Sequence, residues 1–437
     1  MSKRDFAWYE DPDLKNLYIK SASNAMRGYH APIVHPKITF TGTNSLTDLT
    51  ILLGAYLTED EKRVLIVVDK DLRKLGEKVA KKLKELRNID SRIFDNVIPE
   101  VPLNTVREAV AICEEYDPKV IIAVGGGSTM DMAKVIMIYY EKPEVNVNTM
   151  MAPSYLGLRK KIFLLCAIPT TSGTGAEASF NAMVTNTDRD PPKKVAVPLY
   201  EICPDYVVLH SDFTKSMPPY LTMGTGMDAL AHAMGAYVLQ GSTVYTDIHN
   251  LKATEMILEW LPRAIKRGND LEAREQMLMA AFIAGVGFIN TNAAGIEHSL
   301  GHSFGGIFHV HHGISVGIFL AASIAYQSKV TDRFYDLAKI FRIEKEGKHR
   351  DQVLRKLLEA LQDFMKKINA PISIKALEKT QISKDDMEAK KEELINYAFN
   401  DTCTLFSTRK LDPPQIWKIF ETAYENKIDD LMELYYM

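Results

Sequence analysis

The chain is poor in cysteine: four in 437 residues, Cys113, Cys166, Cys203 and Cys403, far apart and with no CxxC pair. That count and spacing speak against a disulfide framework or a zinc ribbon, so unpaired thiols in a reducing compartment are expected. Long apolar runs are also missing. The longest, such as 162–168 and 314–322, fall short of the roughly 20 residues a membrane helix needs. The opening segment MSKRDFAWYEDPDL is charged and lacks the apolar centre of a secretory signal, so a cytoplasmic protein is expected. Charge of one sign is lacking too. The 53 basic and 56 acidic residues leave a net charge of −3, and no global field favours nucleic acid or an anionic membrane as partner.

What is present is ordinary globular material, 46% hydrophobic and 25% charged, on a chain too long for a single core. From about residue 60, short apolar runs alternate with amphipathic stretches. Segments 64–68 (VLIVV), 91–94, 120–124 (VIIAV) and 162–168 (IFLLCAI) read as strands, and 71–86 and 104–116 as helices. Continuous apolar strands joined by helices indicate a parallel sheet covered on both faces. Segments 182–186 and 194–197 flank a polar, proline-containing loop and read as a hairpin. Beyond Pro218-Pro219 only helical periodicities remain: 227–237, 246–265, 271–288, 332–341, 350–368 and 414–426. The expected organisation is an extension over 1–35, an α/β dinucleotide-binding domain over 36–212 and an all-helical, metal-binding domain over 213–437.

Two loops at strand ends offer phosphate-binding chemistry. Val120–Val124 runs into Gly125-Gly126-Gly127-Ser128 and then a helix. Glycines allow close backbone approach, and a helix N-terminus presents unpaired N–H groups and a positive dipole end. Ser128 could equally serve as an N-cap with Asp131 at the third helical position, which would make the loop a structural turn. After strand 162–168 comes Pro169-Thr170-Thr171-Ser172-Gly173-Thr174-Gly175-Ala176-Glu177, rich in hydroxyls and backbone donors. Asp69 ends the VLIVV strand, where a carboxylate accepts hydrogen bonds from ribose hydroxyls and repels a 2′-phosphate.

Histidine is concentrated. Five of the 11 lie between 298 and 312: His298, His302, His309, His311 and His312. Upstream, Asp228 and His232 stand i, i+4, which places carboxylate and imidazole on one helix face; His298 and His302 repeat that spacing. A carboxylate with several imidazoles suits Fe(II) or Zn(II). Spacing alone does not select the ligands among the five.

Taken together, GGGSTMD (125–131), IPTTSGTGAE (168–177), GMDALAHA (226–233) and HSLGHSFGGIFHVHHG (298–313) resemble the iron-containing (group III) alcohol dehydrogenase family, in its order and spacing. The resemblance implies the two-domain fold just described, NAD rather than NADP, a divalent metal with Fe(II) favoured over Zn(II), and a homo-oligomer, dimer or higher. It implies metal ligands Asp228, His232, His298 and His312, with His302 beside them as a proton relay and His309 and His311 outside the set. For the cofactor it implies Gly126, Gly127, Ser128 and Asp131 around the pyrophosphate. Thr170, Thr171, Thr174 and Ser179 would lie on the nicotinamide side, Asp69 at the adenosine ribose and Lys194 at a ribose. The chain departs from the family pattern at Gly235, where many members have Glu, at His311, where Pro is usual, and at Ser407-Thr408-Arg409, where Asn-Pro-Arg is common.

The expected reaction is hydride transfer between a primary or secondary alcohol and NAD. With no Arg/Lys cluster close to the histidines, a neutral small-molecule alcohol or aldehyde is expected rather than a phosphorylated one. The alternatives are a same-fold NAD- and metal-dependent enzyme of another class, such as a dehydroquinate synthase-like lyase or a polyol or hydroxyacid dehydrogenase, and a non-catalytic metal-binding protein.

Overall fold

The computed structural model describes residues 32–150, 154–190, 192–291 and 293–437, so most of the expected extension, and Pro191 of the hairpin loop, lie outside the described residues. Two compact units divide between Met217 and Pro218. That is a few residues beyond the boundary expected near 212, because Ser211–Phe213 forms a 3-10 turn whose Phe213 belongs to the first core.

In the first unit, β1 (Ile38–Thr41), β2 (Arg63–Val68), β3 (Asp90–Phe94), β4 (Val120–Gly125), β5 (Leu164–Pro169) and β8 (Tyr206–Leu209) form one sheet in the order β1-β8-β5-β4-β2-β3. Every pairing in it is parallel. Val64–Val68 and Val120–Val124 are buried throughout, as expected for central strands covered on both faces. Helices α1 (Ser45–Tyr56), α2 (Arg73–Arg87), α3 (Leu103–Tyr116) and α4 (Gly127–Glu141) connect or cover them. Helix α2 packs closely because Gly76 meets the sheet, where a Cβ would lie 3.2 Å from Val68 Cγ1. Helices α2 and α3 end on left-handed Asn88 and Asp117, the residue types that tolerate that conformation. β6 (Asn181–Asn186) and β7 (Lys193–Pro198) form the expected antiparallel hairpin. The strands β1 and β8, at one side of the sheet, are new relative to the sequence reading. Each has four residues, too short a run for periodicity to register.

The second unit is helical, with no strand among its described residues. Helices α5 (Pro219–Tyr237), α6 (Val244–Lys266), α7 (Leu271–Ile289), α8 (Ile296–Phe308) and α9 (His312–Gln327) contribute to its core, and further helices complete it up to Tyr436. Helices α5 and α9 are buried on nearly all sides. That explains why the sequence shows the start of α5 and the whole of α9 poorly: burial around the whole circumference leaves no apolar stripe with a 3.6-residue period to read.

Candidate metal centre and dinucleotide edge

The chain passes from β2 outward to β3, then returns to β4 on the other side of β2. The carboxyl ends of β2 and β4 therefore flank the topological switch point, where open α/β sheets take their ligands. Asp69 follows β2 and Gly125–Ser128 follow β4. Asp69 Oδ1 accepts from Asp71 N at 2.8 Å, capping the 3-10 turn Lys70–Leu72. Gly126 takes the N-cap position of α4, and no side chain caps the helix. The structural alternative of a Ser128 cap is thus not adopted. Ser128 instead lies in the first turn, and the N–H groups there keep the form of an anion cradle.

The threonine loop is joined to this turn. Thr170 N donates to Gly125 O at 2.9 Å, and the β4–β5 ladder carries Gly125 to Pro169. A Cβ on Gly127 would meet Thr174 Cγ2 at 3.1 Å, and one on Gly125 would meet Thr129 Oγ1 at 2.1 Å. Glycine is therefore required at 125 by packing. Thr171 is the nearest neighbour of Gly126. Ser179 is buried and its Oγ accepts from Asn181 N at 2.9 Å. Asp131 Oδ2 accepts from Met183 N at 3.0 Å, so this side chain ties α4 to β6. Lys194 lies on β7, 3.4 Å from Glu100 Oε1.

Two buried residues of this region were not foreseen. Lys134 is fully buried and donates to Ala176 O at 2.9 Å and Asn181 O at 2.7 Å, pinning the segment that follows the threonine loop. Burial pushes its ammonium down, against the pull of Asp131. Glu177 is buried as well, and desolvation raises its carboxyl to about 7 despite Lys134 nearby. The one available signal was their place in amphipathic or polar motifs, where lysine and glutamate ordinarily mean solvent.

In the second unit the i, i+4 pair on α5, His298 on α8 and His312 at the first position of α9 converge. Asp228 Oδ1 lies 3.2 Å from His312 Nε2, 3.5 Å from His298 Nε2 and 3.9 Å from His232 Nε2. Two ligands each about 2.1 Å from one cation at a tetrahedral angle stand roughly 3.4 Å apart, so these separations suit a shared ion. Asp228 Oδ1 and His298 Nε2 are buried with no hydrogen-bond partner, a costly arrangement that a divalent cation relieves. Asp228, His298 and His312 offer ligand atoms all within 4.8 Å of one another. The donor set therefore fits a metal. His232 is stacked between Phe288, at 4.1 Å, and His298, at 4.5 Å, which fixes its ring.

The charges of the cluster are tightly coupled. Burial works to raise the Asp228 carboxyl, but His232, His312 and His298 hold it well below the usual range. Burial works against charge on His298, yet the Asp228 and Glu297 carboxylates bring it up to about 9. Burial lowers His312 and His311.

His302 is half-exposed, one turn after His298 on α8. Its Nδ1 is 2.8 Å from Asp401 Oδ2, and its ring stacks on His312 at 5.2 Å. Asp401 itself accepts from Cys403 N at 2.8 Å. With the proton on Nδ1 directed at Asp401, Nε2 is left as an acceptor. His309 is the left-handed C-cap of α8, and His311 packs against Gly224 at the N-cap of α9. Neither shares the cluster. Asp401 and Glu297 were missed by sequence reasoning: Asp401 lies a hundred residues from its partner, and Glu297, though adjacent to His298, carries no motif. In the segment where Asn-Pro-Arg is common, Arg409 donates to Tyr326 O and Leu434 O at 3.0 Å, and Thr408 Oγ1 donates to Val238 O at 2.6 Å. That departure is absorbed by packing.

Comparison with known proteins bears on the whole arrangement. The family profile "Iron-containing alcohol dehydrogenase" matches residues 36–211, and "Fe-containing alcohol dehydrogenase family, C-terminal" matches 222–424. The NADPH-dependent butanol dehydrogenase of Clostridium saccharobutylicum is 33% identical over 395 residues, 89% of this chain and 97% of that protein. The NAD-dependent methanol dehydrogenase of Bacillus methanolicus is 31% identical over 370 residues, 83% and 92% of the two. Among solved structures, an alcohol dehydrogenase from Oenococcus oeni matches with a TM-score of 0.82 at 26% identity, over 90% of this chain and 100% of that one. With both halves of the family matched in order, the chain belongs to the iron-containing alcohol dehydrogenases and is an NAD(P)-dependent alcohol dehydrogenase.

Proposed function

We propose that this enzyme interconverts small, neutral primary or secondary alcohols and their carbonyl compounds, using NAD in preference to NADP and Fe(II), with Zn(II) as the alternative metal. The observation that carries the reading is the convergence of three imidazole Nε2 atoms on Asp228 Oδ1, where Asp228 Oδ1 and His298 Nε2 are buried with no hydrogen-bond partner. Asp228, His232, His298 and His312 would hold the cation, which supplies Lewis acidity toward an alcohol or carbonyl oxygen. A bound dinucleotide would supply or accept the hydride. Gly126, Gly127 and Ser128 would hold its pyrophosphate through backbone N–H groups, with Asp131 bracing the turn from behind. Thr170, Thr171, Thr174 and Ser179 orient the nicotinamide portion, and Lys194 reaches a ribose. Asp69 accepts from the adenosine ribose, and its charge opposes a 2′-phosphate. His302 Nε2 takes the proton released on alcohol oxidation and passes it to solvent, and Asp401 holds its ring in the accepting tautomer.

The relatives differ in nucleotide, one being NADPH-dependent and the other NAD-dependent, so the nucleotide choice rests on Asp69. Four free cysteines, all buried, support a reducing cytoplasm, and no described helix is long and apolar enough to cross a membrane. A homo-oligomer is part of the same proposal. The test is a screen of alcohols and aldehydes with iron-loaded, anaerobically purified protein, followed at the NADH absorbance band with NAD and NADP in parallel. Turnover of neutral short-chain substrates with NAD is expected. Turnover confined to phosphorylated substrates, or no net NADH change with product formed, would overturn it.

A further inference from the structure

We propose that Glu297 is a positioning residue for the metal centre, occupying from α8 a carboxylate slot that α5 leaves open at Gly235. The inference rests on the metal reading above. Glu297 is fully buried in the first turn of α8. Its Oε1 lies 2.9 Å from His298 Nδ1, and its Oε2 accepts from Ser323 Oγ at 2.7 Å. A proton on His298 Nδ1 is thereby directed at Glu297, and Nε2 is presented toward Asp228 Oδ1, from which it stands 3.5 Å.

The space for this carboxylate comes from two glycines. A Cβ on Gly235 would lie 2.1 Å from Glu297 Oε1, and one on Gly295 would lie 2.2 Å from Oε2. Any side chain at 235 would displace Glu297. The resemblance already described puts Glu at position 235 in many family members; here 235 is Gly and Glu stands at 297, pointing into the same space. A Glu side chain at 235 would have to enter the space that Glu297 fills here, so one carboxylate serves the slot from either helix. Charge accounts for keeping it: two buried carboxylates, Asp228 and Glu297, offset a divalent cation ringed by neutral imidazoles.

The experiment measures Co(II) affinity by chelator competition, together with the visible absorption of bound Co(II). The proteins are native, Glu297→Gln, Glu297→Ala and the double variant Gly235→Glu/Glu297→Ala. Glu297→Ala is expected to raise the Kd for Co(II) by about ten- to a hundredfold and to alter the spectrum. Glu297→Gln, nearly isosteric and still an acceptor for His298, should give a smaller rise, and it carries the test if the alanine variant does not fold. The double variant should regain most of the lost affinity. Unchanged Kd and spectrum in Glu297→Ala and Glu297→Gln, with only the metal-free melting temperature lowered, would overturn the positioning role. A double variant no better than Glu297→Ala would overturn the shared slot. A folded native protein that takes up no Co(II) would instead sink the metal reading itself, an outcome distinct from either.

Discussion

The dinucleotide edge of the first unit and the metal set of the second are made of different material. At the edge, backbone N–H groups after β4 and a hydroxyl-rich loop after β5 would offer the recognition, and side chains such as Thr129 and Thr174 pack against glycines. In the proposed metal set, four side chains from three helices would supply every donor, and each buried polar atom must find its counterpart. A backbone site tolerates drift in side chains as long as glycine stays where packing demands it. A side-chain site fails with the loss of one atom, and the neighbours that orient it, such as Glu297 and Asp401, become part of its construction.

This contrast can be broken by substitution. The largest effect is expected at Asp228→Ala, which removes the atom all three imidazoles face. Activity should fall on the order of 10³-fold or more, and metal content with it, since Lewis acid stabilisation amounts to several kcal/mol. Dinucleotide binding, followed by NADH fluorescence, should persist. Loss of both together would show that the two sites are not separable in this way. Next, His302→Ala should lower turnover about 10²-fold while metal, measured by elemental analysis, stays bound. Metal lost in step with activity would make His302 a ligand.

The first unit should respond through pH. Burial raises the Glu177 carboxyl to about 7, so the fold favours its protonated form. The stability this confers is present below the ordinary value of 4.5 and is lost as pH rises through about 7. Glu177→Gln should remove that slope, gaining roughly 2–3 kcal/mol on the native protein between pH 5 and pH 8 in denaturant melts. Parallel stability curves would count against it. The smallest effect is expected at Asp69→Ser, which keeps a turn-capping oxygen and drops the charge. The ratio of kcat/KM for NADP over NAD should rise about tenfold, the scale of one screened charge contact; an unchanged ratio would remove Asp69 from nucleotide choice.

Legibility in the sequence followed the same division. The central strands and the glycine turn were plain, because buried β-branched runs and Gly-Gly-Gly are strong local signals. Asp228 and His232 were visible as a pair from their i, i+4 spacing, but their meeting with His298 and His312 needed the packing of α5, α8 and α9. Which of five clustered histidines converge depended on details such as the left-handed turn at His309, which ends α8 and lets α9 begin at His312. Glu297 and Lys134 were illegible for a common reason: a charged residue in a helical stretch ordinarily faces water, and nothing local marks one that does not; Asp401 was illegible because its partner lies 99 residues away. Gly235 read only as a departure, and its meaning emerged from the carboxylate facing it.

The edge strand β1 has a consequence for synthesis. Among the described residues its one ladder is to β8, so Ile38 pairs with Tyr206. A ribosome adding roughly 5–20 residues per second needs on the order of 10 s or more to reach from one to the other. Through that interval β1 emerges without its neighbour, and the opening segment of the described sheet must wait, unpaired, for its last strand.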